Sequence, residues 1–464
     1  MSDEDTDFDA VVASVADKVV PDENERAALD VAVERLTERT IEALSTLPVD
    51  AEVMQAGSTA RGTWLAGGRD IDLFVCFSPT LDSDELEKYG LEIGHAVLPE
   101  GREEFAEHPY VVGEFEGFAV DLVPCYAVEE AADIQSSVDR TPFHTRYLRE
   151  RMTPELARDV RICKQFMRGS GVYGSDLKTE GFSGYLTELL VLEYDGFRPL
   201  VEAAADWSPP IAFDPENHGG ETVAAAGDQF DDPVVVIDPT DPDRNVAAVL
   251  SRANVARFQH FAREVVDTPH ESLFFPRKRE QLSTTEIRAE FDARGTTALA
   301  LRFERPDIVD DQLWPQLERS REGIADELDR CGFDVFRTAA FAAEQDLLLL
   351  FELAVAERPQ VERHTGPPVQ VRKHAQRFHD AYADGDASGP FIEDDRYVVE
   401  RERSVTSARS FLESDALFDV SLGVHIDDAM ADEYELLDSD EMATLTDQFG
   451  QALTRYLSPT VRQW

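Results

Sequence analysis

Gly57-Ser58-Thr59-Ala60-Arg61-Gly62-Thr63-Trp64-Leu65-Ala66-Gly67-Gly68-Arg69-Asp70-Ile71-Asp72-Leu73-Phe74-Val75 is the stretch whose reading decides this fold. A Gly-Ser turn after a strand, here Glu52 to Ala56, leaves backbone N–H groups and a hydroxyl facing one concavity. The spacing predicts a short helix over Thr59 to Leu65 with its positive end toward that concavity, a geometry suited to phosphate oxygens. Asp70 and Asp72 then stand two apart on a strand running to Phe77, and a period of two puts both carboxylates on one face. Acids on an otherwise apolar strand are costly to bury unless a cation neutralises them, and a divalent metal does so economically. A third acid, Asp121, interrupts the apolar strand Phe118 to Val123, which as a neighbour would set it beside the other two. Three carboxylates around two divalent ions, next to a triphosphate cradle, is what in-line nucleotidyl transfer requires.

Working outward, Ala28, Leu29, Val31, Val33, Leu36, Ile41 and Leu44 recur at helical spacing after Pro21-Asp22, so Asp22 to Leu47 reads as an amphipathic helix. Val111 to Phe115 and Phe118 to Val123 read as a hairpin turned at Glu116-Gly117. Residues 150–200 are helical in pattern, with Ile162, Phe166 and Met167 on one face, a break at Gly169 to Gly174, and a second helix from Tyr185 to Leu192. A Pro- and Gly-marked region carries one strand, Val234 to Ile237, and leads to a helix from Ala247 to Val266. In the final third, strands at Ala298 to Phe303 and Leu347 to Leu353 flank a helix from Trp314 to Cys331, an order that predicts a β-α-β element. Trp314, Trp464 and the strand Leu347 to Phe351 read as core or subunit contact.

The chain has 464 residues, with 44 Lys and Arg against 94 Asp and Glu, a formal charge of −50. That length supports several domains with full cores and excludes a disordered or stapled miniature scaffold. No apolar run approaches the ~20 residues of a membrane helix. The acidic stretch Met1 to Ala10 lacks the pattern of a secretory signal, which points to the cytoplasm. Cys76, Cys125, Cys163 and Cys331 are scattered, so neither a zinc ribbon nor a disulfide framework is indicated. Only six residues are Lys. A carboxylate-rich, Lys-poor surface suits a cytoplasm at molar salt, where self-repulsion is screened within ~3 Å. In that setting the charge describes the solvent more than the partner.

Taken with Arg140-Thr141-Pro142-Phe143-His144, Gly171-Val172-Tyr173-Gly174 and Gly181-Phe182-Ser183-Gly184-Tyr185-Leu186, the run from Gly57 to Val75 resembles the polymerase-β-type nucleotidyltransferase superfamily. More narrowly, the chain is similar throughout to the archaeal class I CCA-adding enzymes. These are tRNA nucleotidyltransferases that build or repair the 3′-terminal CCA from CTP and ATP without a nucleic-acid template. The resemblance implies an α+β, multidomain fold: a nucleotidyltransferase domain with a mixed sheet over residues 1–149, a largely helical central domain over 150–275, and an α/β tRNA-binding domain over 276–464. It implies Asp70, Asp72 and Asp121 as ligands of two Mg²⁺ ions, and Ser58 and Arg61 as triphosphate contacts. His144, Lys164 and Tyr173 are implied to line the nucleotide pocket, with Gly57, Thr141 and Arg244 as further candidates. It also implies a homodimer acting on the acceptor stem and 3′ end of tRNA.

The residues themselves agree in part. Arg61 lies just beyond the phosphate turn, where a guanidinium can engage phosphate oxygens in a bidentate way. Lys164 shares a helix face with Arg161 and Arg168, in a chain that otherwise avoids Lys. Tyr173 stands between glycines that permit close backbone approach, though a core tyrosine reads equally well. His144 taken alone is an ordinary hydrogen-bonded loop histidine, and its functional case rests on the resemblance. Basic clusters at Arg146 to Arg151, Arg161 to Arg168, Arg277-Lys278-Arg279 and Arg372-Lys373 with Arg377 could follow a phosphate backbone. Rival readings are a poly(A) polymerase-like or oligoadenylate synthetase-like enzyme, and a non-catalytic RNA-binding protein, which the intact set of three acids opposes.

The charge pattern makes a first prediction. The thermal midpoint should rise steadily between about 0.1 M and about 2 M KCl, as the Debye length falls from ~10 Å toward ~3 Å. A midpoint independent of salt, followed by circular dichroism without divalent ions, would show that the acidic surface is not an adaptation to high salt.

Overall fold

The computed structural model of the chain describes residues 3–105, 107–218, 230, 232–277 and 279–462. Lys278 of the third basic cluster and Trp464 lie outside those residues. The chain divides into two compact units, Met1–Lys278 together with Val461–Gln463, and Arg279–Thr460 together with Trp464. Among the described residues no helix is long and apolar enough to cross a membrane.

The first unit opens with α1 (Asp3–Val19) and α2 (Glu23–Leu44), the latter started by a capping box in which Asp22 accepts from Glu25 N at 2.8 Å and Glu25 accepts from Asp22 N at 3.1 Å. Strand β1 (Ala51–Ala56), the single turn α3 (Gly57–Ala60), β2 (Asp70–Phe77), α4 (Ser83–Val97), β3 (Arg102–Phe105), β4 (Pro109–Phe115) and β5 (Phe118–Tyr126) follow. The strands form a mixed sheet in the order β1-β2-β5-β4-β3, in which only β2 and β5 run parallel. Glu116 and Gly117 both take positive φ, 54° and 82°, as the tight β4–β5 turn needs. The helix expected over Thr59 to Leu65 is shorter than that: Gly62 at φ +66° returns its N–H to Thr59 O at 3.3 Å and ends it at once.

Alternation along the two parallel strands builds the layer. Ile71, Leu73, Val75 and Phe77 join Val120, Leu122 and the helix residues Leu29, Leu36, Leu86 and Ile93 in one core. The intervening residues Asp70, Asp72, Phe74 and Cys76 therefore face the other way, with Asp121 and Cys125. Helix α4 reaches the sheet through glycines: a Cβ on Gly94 would stand 2.3 Å from Val111 Cγ2 and 2.7 Å from Val111 Cβ.

Next come α5 (Arg140–Arg151), α6 (Pro154–Ser170), α7 (Gly184–Glu193) and α8 (Phe197–Ala205), a small sheet of β6 (Ile211–Phe213), β7 (Val234–Asp238) and β8 (Asp241–Asn245), and α9 (Arg252–Asp267). Their core centres on Phe166, whose ring lies 5.6 Å from Phe197, 5.9 Å from Phe258 and 5.4 Å from Phe274. Phe8, Val15 and Val19 of α1 pack into this core and not under the sheet.

The second unit carries an antiparallel sheet in the order β10-β11-β9-β15, formed by β9 (Thr297–Glu304), β10 (Val335–Ala342), β11 (Asp346–Leu353) and β15 (Tyr434–Asp438). A second sheet pairs β12 (Val361–Pro368) and β13 (Ser388–Glu393) with the middle strand β14 (Arg396–Glu402). The expected β-α-β element is corrected here. The two anticipated strands, β9 and β11, are neighbours but antiparallel, because the half-exposed strand β10 intervenes and forms a hairpin with β11. The run from Leu347 is apolar throughout because both faces are covered. Leu347, Leu349 and Phe351 join the core that includes Trp314, while Leu348 and Leu350 join one with Phe291 and Phe449.

Gly94→Val should lower stability by about 1–3 kcal/mol, the usual cost of overpacking, despite its better helix propensity. Urea unfolding at fixed KCl measures this, and an unchanged midpoint would show that α4 does not depend on that close approach.

Candidate active site

Parallel pairing of β2 with β5 makes Asp72 and Asp121 register partners. Burial pushes the Asp72 carboxyl up, Asp70 adds to the rise, and Arg61 opposes it. Asp121 is pushed up to about 6, first by burial and then by the charges of Asp72, Glu104 and Asp70. Such shifts are the mark of negative charge gathered faster than the chain neutralises it. Gly57 lies directly beneath: at φ +69°, its absent Cβ would sit 1.6 Å from Asp72 Oδ2. Any larger residue would thus displace the carboxylate that the turn adjoins.

Arg61 and Lys164 meet on a residue the sequence reading missed, Glu188 of α7. Arg61 Nε donates to Glu188 Oε2 at 2.7 Å, and Lys164 Nζ to Oε1 at 2.8 Å and to Thr63 O and Oγ1 at 3.2 Å each. The Thr63 hydroxyl also donates to Glu188. Burial alone would raise the Glu188 carboxyl, but Lys164 and Arg61 outweigh it and hold it low. Lys164 is only 3% exposed, so its ammonium is fixed and already partly compensated. A cavity of about 60 Å³ is bordered by Ser58, Thr63, Asp70, Lys164, Arg168 and Tyr173. Tyr173 is pushed up to about 12 by burial, and the Arg168 guanidinium stands 5.2 Å over its ring.

His144 and Arg244 converge on a second missed acid, Asp238, at the end of β7. His144 Nε2 lies 2.8 Å and Arg244 Nη1 2.7 Å from Asp238 Oδ2. The His144 ring stacks on Tyr185, with centroids 4.0 Å apart. Thr141 lies in the first turn of α5, half-buried, one residue from Arg140, which pairs with Asp241 at 3.0 Å. Helices α5 and α7 tie the two clusters together, because Thr145, next to His144, accepts from Arg61 at 3.5 Å, and α7 carries both Tyr185 and Glu188.

The basic clusters are less available than their sequence suggests. Arg161 is buried, with its Nε on Trp64 O at 2.9 Å and Nη2 on Gly62 O, so it braces the loop behind the Gly-Ser turn. With Lys164 also buried, Arg168 is the exposed cation of that helix face. Arg151 pairs with Glu216 at 3.0 Å and packs over Tyr147. Arg372, Lys373 and Arg377 line the exposed side of the helix Arg372–Tyr382. Among 94 acids, no motif or spacing singled out Glu188 and Asp238. Only an apolar context, Leu186 to Val191 for one and Val234 to Ile237 for the other, marked them as acids inside buried elements.

A mixed sheet with acids on neighbouring strands above a Gly-Ser turn defines a nucleotidyltransferase, and residues 37–144 match the family model for the nucleotidyltransferase domain. Residues 158–275 match the second domain of tRNA nucleotidyltransferase, and residues 294–439 the C-terminal domain of CCA-adding enzymes. The chain is 55% identical to the CCA-adding enzyme of Haloarcula marismortui, over 99% of this chain and all of that one. It is 54% identical to that of Halorubrum lacusprofundi and 53% to that of Halobacterium salinarum, in each case over 98% of this chain and 99% of the relative. The chain belongs to the CCA-adding enzymes, and is a nucleotidyltransferase that adds CCA to tRNA.

Enzymes of this class depend on a metal, and the residues present fit one. Asp72 and Asp121 are adjacent, partly buried and under-neutralised, and Asp70 is close enough to raise both. Among the described residues no group of three His, Cys, Asp or Glu side chains is gathered as a closed ligand set.

A pH prediction follows from the raised Asp121. The unfolded chain loses this proton near pH 4 and the folded chain near pH 6, so the folded state loses stability as pH rises through that window. A divalent cation held by the ionised pair would reverse the loss. Added Mg²⁺ should therefore raise the melting temperature more at about pH 7 than at about pH 5, and Asp72→Asn should abolish the difference. Equal shifts at both pH values, by scanning calorimetry at constant KCl, would exclude the pair as a cation site.

Proposed function

We propose that this chain builds and repairs the 3′-terminal CCA of tRNA from CTP and ATP, releasing pyrophosphate, with two Mg²⁺ ions held by Asp70, Asp72 and Asp121. The observation that carries this reading is the Asp72–Asp121 pair, set side by side by parallel strands directly over Gly57. Bound there, divalent ions would lower the pKa of the tRNA 3′-hydroxyl and neutralise charge on the leaving pyrophosphate. The chain's own groups do the holding. Ser58 offers its hydroxyl to the triphosphate across the small cavity, Arg61, held by Glu188 through Nε, keeps further N–H groups for phosphate oxygens, and Lys164, its three N–H groups spent on Glu188 and Thr63, adds fixed positive charge behind them. Arg168, exposed and beside Tyr173, adds a cation at the cavity's rim.

In the same reading residues 1–149 are catalytic, 150–275 hold nucleotide and the tRNA end, and 276–464 bind tRNA, with the basic face of the helix Arg372–Tyr382 as one contact. The partner is the acceptor stem and 3′ end, the enzyme is a cytoplasmic homodimer, and the charge of −50 makes it halophilic.

Incubation with a tRNA lacking its terminus, labelled CTP and ATP, and Mg²⁺ at high salt should give extension by C, C and A and then a stop. Long A tracts would favour the poly(A)-like alternative. Asp70→Asn and Asp72→Asn should each lower incorporation of both nucleotides by about a thousandfold or more, while the chain still melts in a cooperative transition. Substantial turnover in either variant would remove the carboxylate assignment.

A further inference from the structure

Asp238 ends the strand Val234–Asp238, all of it buried, and its own side chain is fully buried. A carboxylate in that position is tolerated only if every lone pair is used. Five donors do so. His144 Nε2 at 2.8 Å and Arg244 Nη1 at 2.7 Å reach Oδ2. Thr240 N and Thr240 Oγ1 at 2.9 Å each, and the Tyr185 hydroxyl at 3.3 Å, reach Oδ1. Burial would raise the acid, but the bonds from His144, Thr240 and Arg244 overcome it and keep the carboxyl well below the usual range.

Because an ionised carboxylate only accepts, His144 must carry its proton on Nε2, which leaves Nδ1 as the nitrogen available to another group. Tyr185 clamps the same ring from its face, 19° from parallel. Arg244 spends one nitrogen on Asp238 while its side chain remains 37% exposed, so the rest of its fork is oriented by that bond. Two residues from distant parts of the chain, on α5 and β8, thus take their geometry from one atom.

Building on the CCA-addition reading, we infer that Asp238 is a positioning residue for the incoming nucleotide, holding His144 and Arg244 as one preset pair, the imidazole offering Nδ1 as acceptor and the guanidinium its remaining N–H groups as donors. The energy of ordering those two side chains is then met in folding and not at each binding event.

The test is steady-state extension of a truncated tRNA at fixed high salt by wild type, Asp238→Asn, His144→Gln and the double variant, with melting temperatures recorded alongside. Asp238→Asn keeps the shape but turns an amide N–H₂ toward donors. Its KM for both CTP and ATP should rise about tenfold or more, with kcat changed by less than about threefold, as expected for losing charge-assisted bonds to groups that bind substrate. The double variant should be little worse than Asp238→Asn alone, because the histidine's contribution depends on the acid. If Asp238→Asn does not fold, Tyr185→Phe removes one donor to Oδ1 while keeping the stacked ring, and should raise both KM values to a smaller extent. Unchanged KM values, or strictly additive effects in the double variant, would overturn the inference while wild-type CCA addition stands. Failure of the wild type to add CCA would instead overturn the functional reading itself.

Discussion

Everything in the first unit answers to one electrostatic constraint: two carboxylates, Asp72 and Asp121, side by side on neighbouring strands. A sheet with helices over both faces would bury them without compensation, and no set of contacts elsewhere would repay that cost. The fold resolves this by alternation. Leu73, Val75 and Leu122 take the helix-covered face, leaving the acids on the other, with Gly57 stripped of a side chain to make room for Asp72. The parallel pairing of β2 with β5 is the necessary partner of that arrangement, since it puts residue 72 opposite residue 121.

A second theme is the use of buried acids to organise scarce cations. The chain holds 94 acids and six lysines, yet one of those lysines is sealed against Glu188. Glu188 fixes Lys164, Arg61 and Thr63, and Asp238 fixes His144 and Arg244. Removing one partner of such a buried group leaves an uncompensated charge at a cost of about 3–5 kcal/mol, so these networks tie the geometry of the site to the stability of the fold. The second unit repeats the device: buried Glu352 accepts from Thr296, Arg337 and Tyr456, and pairs with Arg294. An acidic surface and an acidic interior that orients donors are separate uses of the same residue types.

Local chemistry was legible in the sequence, since it depends on neighbours a few residues away. The helix start at Pro21-Asp22, the Glu116-Gly117 turn, the strand acids and the Gly-Ser turn were all readable from spacing alone, because each follows from backbone period or from one residue's allowed φ. The end of the helix at Ala60 was misjudged because Gly62 takes a positive φ that only the surrounding loop requires. The strand Val335–Ala342 was not seen, as its half-exposed residues lack a clean alternation.

What the sequence determined by itself, then, was where the Gly-Ser turn stands and on which face of their strands Asp70, Asp72 and Asp121 lie. What only the tertiary structure decided was who neutralises whom. Arg161 and Lys164 read as a solvent-facing basic stripe, yet Arg161 braces the carbonyls of Gly62 and Trp64 while Lys164 locks onto Glu188. Helix α1 lies before the sheet in the chain but packs into the helical core. Helical and strand periods are properties of a few consecutive residues. Charge pairing across 24 residues in one case and 127 in another depends on how the whole chain closes on itself.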